Sequence, residues 1–143
     1  MLSSMASVST YLNFLGNTEE AFEFYRSVFG GEFTALNRMD SIPGMELPEA
    51  DKSKIMHISL PILAGHVLMG TDFLESQGHE LIIGNNVTIS LLPDTLEDAQ
   101  ALYAALVVNG SADQPIFPAP WGGHYGSLVD QFGIRWMFNV LPA

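Results

Sequence analysis

The sequence predicts an α+β fold built from one βαβββ module written twice, the two copies forming a curved mixed-sheet cup. Three observations predict it. Two short amphipathic stretches, GNTEEAFEFYRSVFGGEF (16–33) and LPDTLEDAQALYAALVVNG (92–110), read alike as a loop, a helix and a glycine stop. Period-two apolar segments flank each helix in the same order, one before and three after. The 143 residues, 48% apolar, suffice for one domain with a shared core. The modules run over about residues 6–73 and 84–141 of a single domain spanning 1–143.

In order, SVSTYLNFL (7–15) is the first strand. Asn17 and Glu20 have capping-box spacing and start the first helix. Ala21, Phe22, Phe24, Tyr25, Val28 and Phe29 form its apolar face, and Gly30-Gly31 ends it. GEFTALNRM (31–39), KIMHISLPI (54–62) and HVLMGTDF (66–73) are the next three strands. A loop with Pro43-Gly44 and MELPEADKSK separates the first two of these, and LESQGHELIIGN (74–85) links the halves. NNVTISLL (85–92) opens the second module, where Asp94 and Glu97 repeat the capping spacing. Ala99, Leu102, Tyr103, Leu106 and Val107 form the second apolar face, and Gly110 is its stop. DQPIFPAP (113–120), YGSLVDQ (125–131) and IRWMFNV (134–140) complete the pattern.

Composition excludes several functions. Without cysteine there is no disulfide, thiolate metal site or cysteine nucleophile. Five basic residues against sixteen acidic ones, a net charge of −11, are too few to neutralise nucleic-acid phosphates or dock an anionic membrane. The acid excess serves solubility or attracts a cationic ligand. MLSSMASVST lacks the pattern of a secretory signal, and no apolar run is long enough to span a membrane, so a cytoplasmic protein is expected.

The repeated module resembles the vicinal oxygen chelate superfamily, which holds glyoxalase I, extradiol dioxygenases, fosfomycin-inactivating enzymes and bleomycin-binding resistance proteins. The similarity is sharpest to its PhnB-like branch. The residues that carry it are YLNFLGNTEEAFEFYRSVFGGEF, KIMHISL, HVLMGTD and PWGGHYGSLVDQFGIRWMFNV. They include Phe29-Gly30-Gly31, the W-G-x-x-Y-G run Trp121–Gly126 and the D-x-F-G-x-x-W run Asp130–Trp136. Some members of that branch carry a quinone methyltransferase label. The glycine-rich strand-to-helix loop that binds nucleotide-type cofactors is missing here, so the label gains no support.

The resemblance implies a metal floor of His, Glu or Gln ligands on the first and fourth strands of each half. The matching positions are Thr10 (or Tyr11 with a slipped register), Met69, Thr88 (or Val87) and Met137. Hydroxyls and thioethers do not make a hard-metal site, so neither metal nor cofactor is expected. Strand alternation then gives the cup lining. Thr10, Leu12 and Phe14 face inward from the first strand, and Val67, Met69 and Thr71 from the fourth. Thr88 and Ser90, and Arg135, Met137 and Asn139, do so in the second half. Trp136 and Phe138 pack beneath the helix. Arg135 pairs with an anionic ligand or with Asp130. His57 is a hydrogen-bonded core or cup-wall residue, Trp121 is a movable lid or stacking wall or else a dimer contact or loop anchor, and Tyr125 is a further ligand-binding candidate. Met69 and Met137 supply packing.

The reading that follows is a small-molecule binder without the usual metal, forming a homodimer. Two alternatives stand beside it. One is a metal-dependent lyase or dioxygenase with relocated ligands. The other is a metal-free enzyme using His57, Asp72 or Tyr125 as acid or base.

Overall fold

A computed structural model describes residues 6–143. The chain divides into two compact units, Met1–Leu81 and Ile82–Ala143. Each carries one helix and one four-stranded mixed sheet. Among the described residues no helix is long and apolar enough to cross a membrane.

The first unit contains β1 (Thr10–Phe14), α1 (Thr18–Phe29), β2 (Ala35–Arg38), β3 (Ile55–Pro61) and β4 (Val67–Asp72). The sheet order is β1-β4-β3-β2, with β1 and β4 parallel and the other pairs antiparallel. α1 lies against β3 and β4. Its buried side chains are Thr18, Ala21, Phe22 and Tyr25, which recur at the three- and four-residue steps of one helix face. Gly70 lets Phe22 approach the sheet: a Cβ there would lie 2.5 Å from the ring. Ile58, Leu60 and Leu68 complete this core, all fully buried. Between β2 and β3 the chain makes two short 3-10 turns, Met39–Ser41 and Glu49–Asp51.

The second unit repeats the plan with β5 (Ile89–Leu91), α2 (Leu96–Leu106), β6 (Ser111–Pro118), β7 (His124–Val129) and β8 (Arg135–Val140). Its order is β5-β8-β7-β6, again with only the first pair parallel. α2 packs on β8 and β7, with Trp136, Phe138, Leu128, Ala99 and Leu106 buried between helix and sheet. Among the described residues, the eight strands and two α-helices overlap the segments the sequence marks for them, with β6 starting two residues early at Ser111.

The helix starts are corrected. Asn17 flanks α1, but its side chain makes no capping bond. Asp72, at the end of β4, caps the helix instead. Its Oδ1 accepts from the backbone N–H of Gly16 and Thr18 and from the Thr18 hydroxyl, at 3.0, 3.1 and 2.6 Å. Its Oδ2 accepts from the Ile55 N–H at 2.8 Å. In α2 the cap is Thr95 rather than Asp94, and its Oγ1 accepts from the Asp98 N–H at 3.0 Å. α2 also ends earlier than its glycine: the helix stops at Leu106, and Asn109 takes the left-handed turn at φ 58° before Gly110. Asparagine tolerates that conformation because its amide bonds locally.

Candidate functional site

Each sheet has one face under its helix and one open face, and register decides which residue lies on which. In the first unit Leu12 pairs with Gly70, and Phe14 meets Phe22 edge-on at 6.4 Å between ring centroids. Leu12 and Phe14 are therefore core residues beneath α1, 8% and 3% exposed, and Thr10 shares their side of β1. This reverses the expected orientation of β1. The expectation followed from matching Thr10 to a metal-ligand position, whereas the strand's own pattern, Leu12 and Phe14 against Tyr11 and Asn13, favours the phase the helix imposes. The open face carries Tyr11 and Asn13 instead. Tyr11 pairs with Met69, which does lie on that face, as do Thr71, Ser59 and His57.

Three of these side chains join. His57 Nε2 shares a hydrogen bond with Ser59 Oγ at 2.8 Å, and His57 Nδ1 shares another with the Tyr11 hydroxyl at 3.2 Å. The Tyr11 and His57 rings lie 5.8 Å apart at 36°. Sequence reasoning held Tyr11 only as a register alternative and did not single out Ser59. The i, i+2 spacing of His57 and Ser59 on one strand was the available signal. Among the other histidines, His66 Nε2 bonds Thr10 Oγ1 at 2.9 Å, and His79 Nδ1 accepts from the Leu74 N–H at 2.9 Å. Asp72, a candidate base, is committed to four donors, three at the α1 start and one at the first residue of β3.

In the second unit the open face carries Ser90 opposite Met137, Ser127 on the other side of Met137, and Tyr125 opposite Asn139. Thr88 lies outside β5 and is exposed. Tyr125 is the middle of an aromatic row. Phe117, its partner on β6, meets it at 6.0 Å and 78°, and Trp121 meets it at 6.1 Å and 70°. Trp121 is 67% exposed. The glycines around it hold the loop close rather than loosening it. A Cβ on Gly123 would run into the Val140 carbonyl, and one on Gly126 would lie 2.7 Å from Ile116.

Arg135 does not pair with Asp130. The Asp130 carboxylate is buried and accepts from the Phe132 and Ile134 N–H groups and from Trp136 Nε1, pinning the turn into β8. Arg135 Nη2 stands 3.7 Å from Asp113 Oδ2, which also accepts from the Ser127 hydroxyl at 2.9 Å. Arg135 Nε is buried with no hydrogen-bond partner among the described residues. From the helix side, Tyr103 donates to the Ser127 and Gln114 carbonyls at 2.9 and 3.2 Å. Burial, then the charge of Asp113, pushes its phenol above the ordinary tyrosine value.

The donor set for a metal can now be named from geometry. The open-face positions are a phenol and a thioether in the first unit, Tyr11 and Met69, and an alcohol and a thioether in the second, Ser90 and Met137. Neither pair fits a hard divalent cation, which takes carboxylate, imidazole or carbonyl ligands. Among the described residues no group of three or more His, Asp or Glu side chains converges to hold one.

Comparison with known proteins places this geometry. The chain is 27% identical to Protein YjdN of Escherichia coli strain K12, over 94% of this chain and 95% of that protein. It superposes on protein PA1353 from Pseudomonas aeruginosa with a TM-score of 0.84 at 31% identity, covering 96% of this chain and 99% of the other. The PhnB protein from Bacillus cereus shares the fold with a TM-score of 0.74 at 23% identity, over 94% and 99%. Residues 9–138 match the model of the Glyoxalase/Bleomycin resistance protein/Dioxygenase superfamily, and the chain belongs to that family.

Proposed function

We propose that the chain is a single glyoxalase-like domain that binds a small, planar organic anion against the open face of β5–β8. The observation that carries this reading is the row Phe117–Tyr125–Trp121, with Trp121 left 67% exposed. A large apolar ring held in water at the end of an aromatic row gains from being covered by a flat ligand. Asn139 and Ser90 add directional polar groups to the same face, and Met137 adds an adaptable apolar floor. Arg135 supplies the charge. Its Nε has no acceptor among the described residues and its Nη2 holds Asp113 only at 3.7 Å, so a carboxylate would complete its bonding.

The test is a thermal-shift and tryptophan-fluorescence screen with aromatic carboxylates, each beside its neutral amide. A carboxylate at about a hundred times its dissociation constant stabilises the native state by about 2.7 kcal/mol. Trp121→Ala and Arg135→Gln each remove the shift, and the neutral amides give less of it. A screen in which no carboxylate shifts the transition, or in which both variants respond as the parent does, sinks the reading.

A homodimer in the cytoplasm belongs to the same proposal. The absence of cysteine fits a reducing compartment. β1 and β2 are sheet edges that a second copy can cover, whereas the β6 edge is blunted by Pro115 and two register shifts. Light scattering on the eluted protein should give twice the 15.6 kDa chain mass.

A further inference from the structure

We propose that Asn109–Gly110, in the turn from α2 into β6, is a site of spontaneous backbone modification: the Asn109 amide is lost through a succinimide, the chain is rebuilt there as isoaspartate, and the β6 edge loosens. This goes beyond ligand binding. It rests on the turn alone and stands whether or not the open face takes a ligand.

The fold itself requires this labile pair. Asn109 is exposed and left-handed at φ 58°, a conformation open at low cost only to glycine, asparagine and aspartate. Gly110 packs against the end of β7. A Cβ there would run into the Val129 carbonyl and lie 3.0 Å from Asp130 Cα, so only glycine fits. A glycine nitrogen carries no neighbouring side chain to shield it from the amide one position earlier. No other asparagine of the chain precedes a glycine. In the closed turn the Gly110 N–H donates to the Val107 carbonyl at 2.8 Å, and Gln131 Nε2 donates to the Val108 carbonyl at 3.4 Å. The attacking nitrogen is therefore occupied until the turn opens. Little packing resists that opening: α2 has ended at Leu106, and Val108 is 50% exposed.

In the opened turn the Gly110 nitrogen bonds to Asn109 Cγ, the Cγ–Nδ2 bond breaks, and ammonia leaves with the proton from Gly110. Water then opens the five-membered ring at one of its two carbonyls. Opening at Cγ leaves aspartate. Opening at the backbone carbonyl leaves isoaspartate, whose main chain runs through the side-chain methylene. Nothing is oxidised or reduced, and solvent water is the only co-reactant. Isoaspartate lengthens the main chain where Gly110 meets Val129, and either product adds a negative charge to a chain already at −11. Ser111, paired with Val129, and Asp113, bonded to Ser127, follow directly, so the lengthened turn displaces the start of β6.

The test is to age the full chain in mildly alkaline buffer and map its peptides by mass spectrometry, with fragmentation that separates isoaspartate from aspartate. Asn109 should lose its amide, with isoaspartate among the products, while Asn85 and Asn86, exposed but not followed by glycine, keep theirs. Unfolding in urea should speed the loss at Asn109 by freeing the Gly110 nitrogen. The aged parent should melt at a lower temperature than the fresh protein. Asn109→Gly keeps the left-handed turn and has no amide to lose, so its melting temperature should not drift with age. Asn109→Asp carries the added charge on an unlengthened backbone and should melt above the isoaspartate form. An Asn109 amide that outlasts those of Asn85 and Asn86, a loss that urea does not speed, or an isoaspartate form that melts with the fresh protein overturns the proposal.

Discussion

Asp72 shows what one side chain can hold together. It is 3% exposed, and its two oxygens take four donors from the α1 start and from the first residue of β3. A buried carboxylate so bonded stabilises through charge-assisted hydrogen bonds, and losing one oxygen strands donors that cannot reach water. Asp72→Asn should cost about 2–3 kcal/mol in a denaturant titration. Asn17→Ala, at the position the sequence marks as the cap, should cost less than about 0.5 kcal/mol, because that side chain bonds no helix N–H. Thr95→Ala in the second module should fall between them, at about 1 kcal/mol. The true cap of α1 was illegible in the sequence because Asp72 and Thr18 lie 54 residues apart. The cap of α2 was legible to within one residue because it is local.

Helix and sheet meet through close approaches that only glycine allows. Phe22 sits over Gly70, and Gly70→Ala must displace either the ring or the strand. Overpacking of this kind costs about 1–3 kcal/mol, and it should appear as a lower unfolding midpoint with an unchanged slope. Gly123 couples a positive φ of 72° to contact with the β8 backbone, so Gly123→Ala should disorder the Trp121 loop first. Loss of the Trp121–Tyr125 ring contact, seen as a change in Trp121 emission, is the measurement. The strands themselves were readable because period-two apolar segments bounded by turn residues have few other solutions. The phase of β1 was misread. TYLNF puts Leu12 and Phe14 on one side and Tyr11 and Asn13 on the other, and the match of Thr10 to a ligand position turned the more apolar side toward the cup against its own pattern.

At the scale of the molecule, charge sets the response to solution conditions. At a net charge of −11, added salt should raise the unfolding temperature by screening self-repulsion. Acid acts in the opposite sense. The Lys54 ammonium and the Ser76 hydroxyl hold the Asp51 carboxyl below its usual range, and Arg38 does the same for Glu19. Carboxyls with depressed folded values contribute stability that is complete above their unfolded values and is lost as the pH falls through the folded ones. Unfolding midpoints should therefore drop below about pH 4, and Lys54→Met should flatten part of that decline. By itself the sequence determined the order, number and type of the elements, the doubled βαβββ plan and the family resemblance, because capping, periodicity and turn chemistry act over a few residues. The tertiary structure alone decided that Asp72 starts a helix, that Arg135 meets Asp113, and that Tyr11, His57 and Ser59 touch. Each of these depends on residues brought side by side from distant strands, and register across a sheet is not written in any one of them.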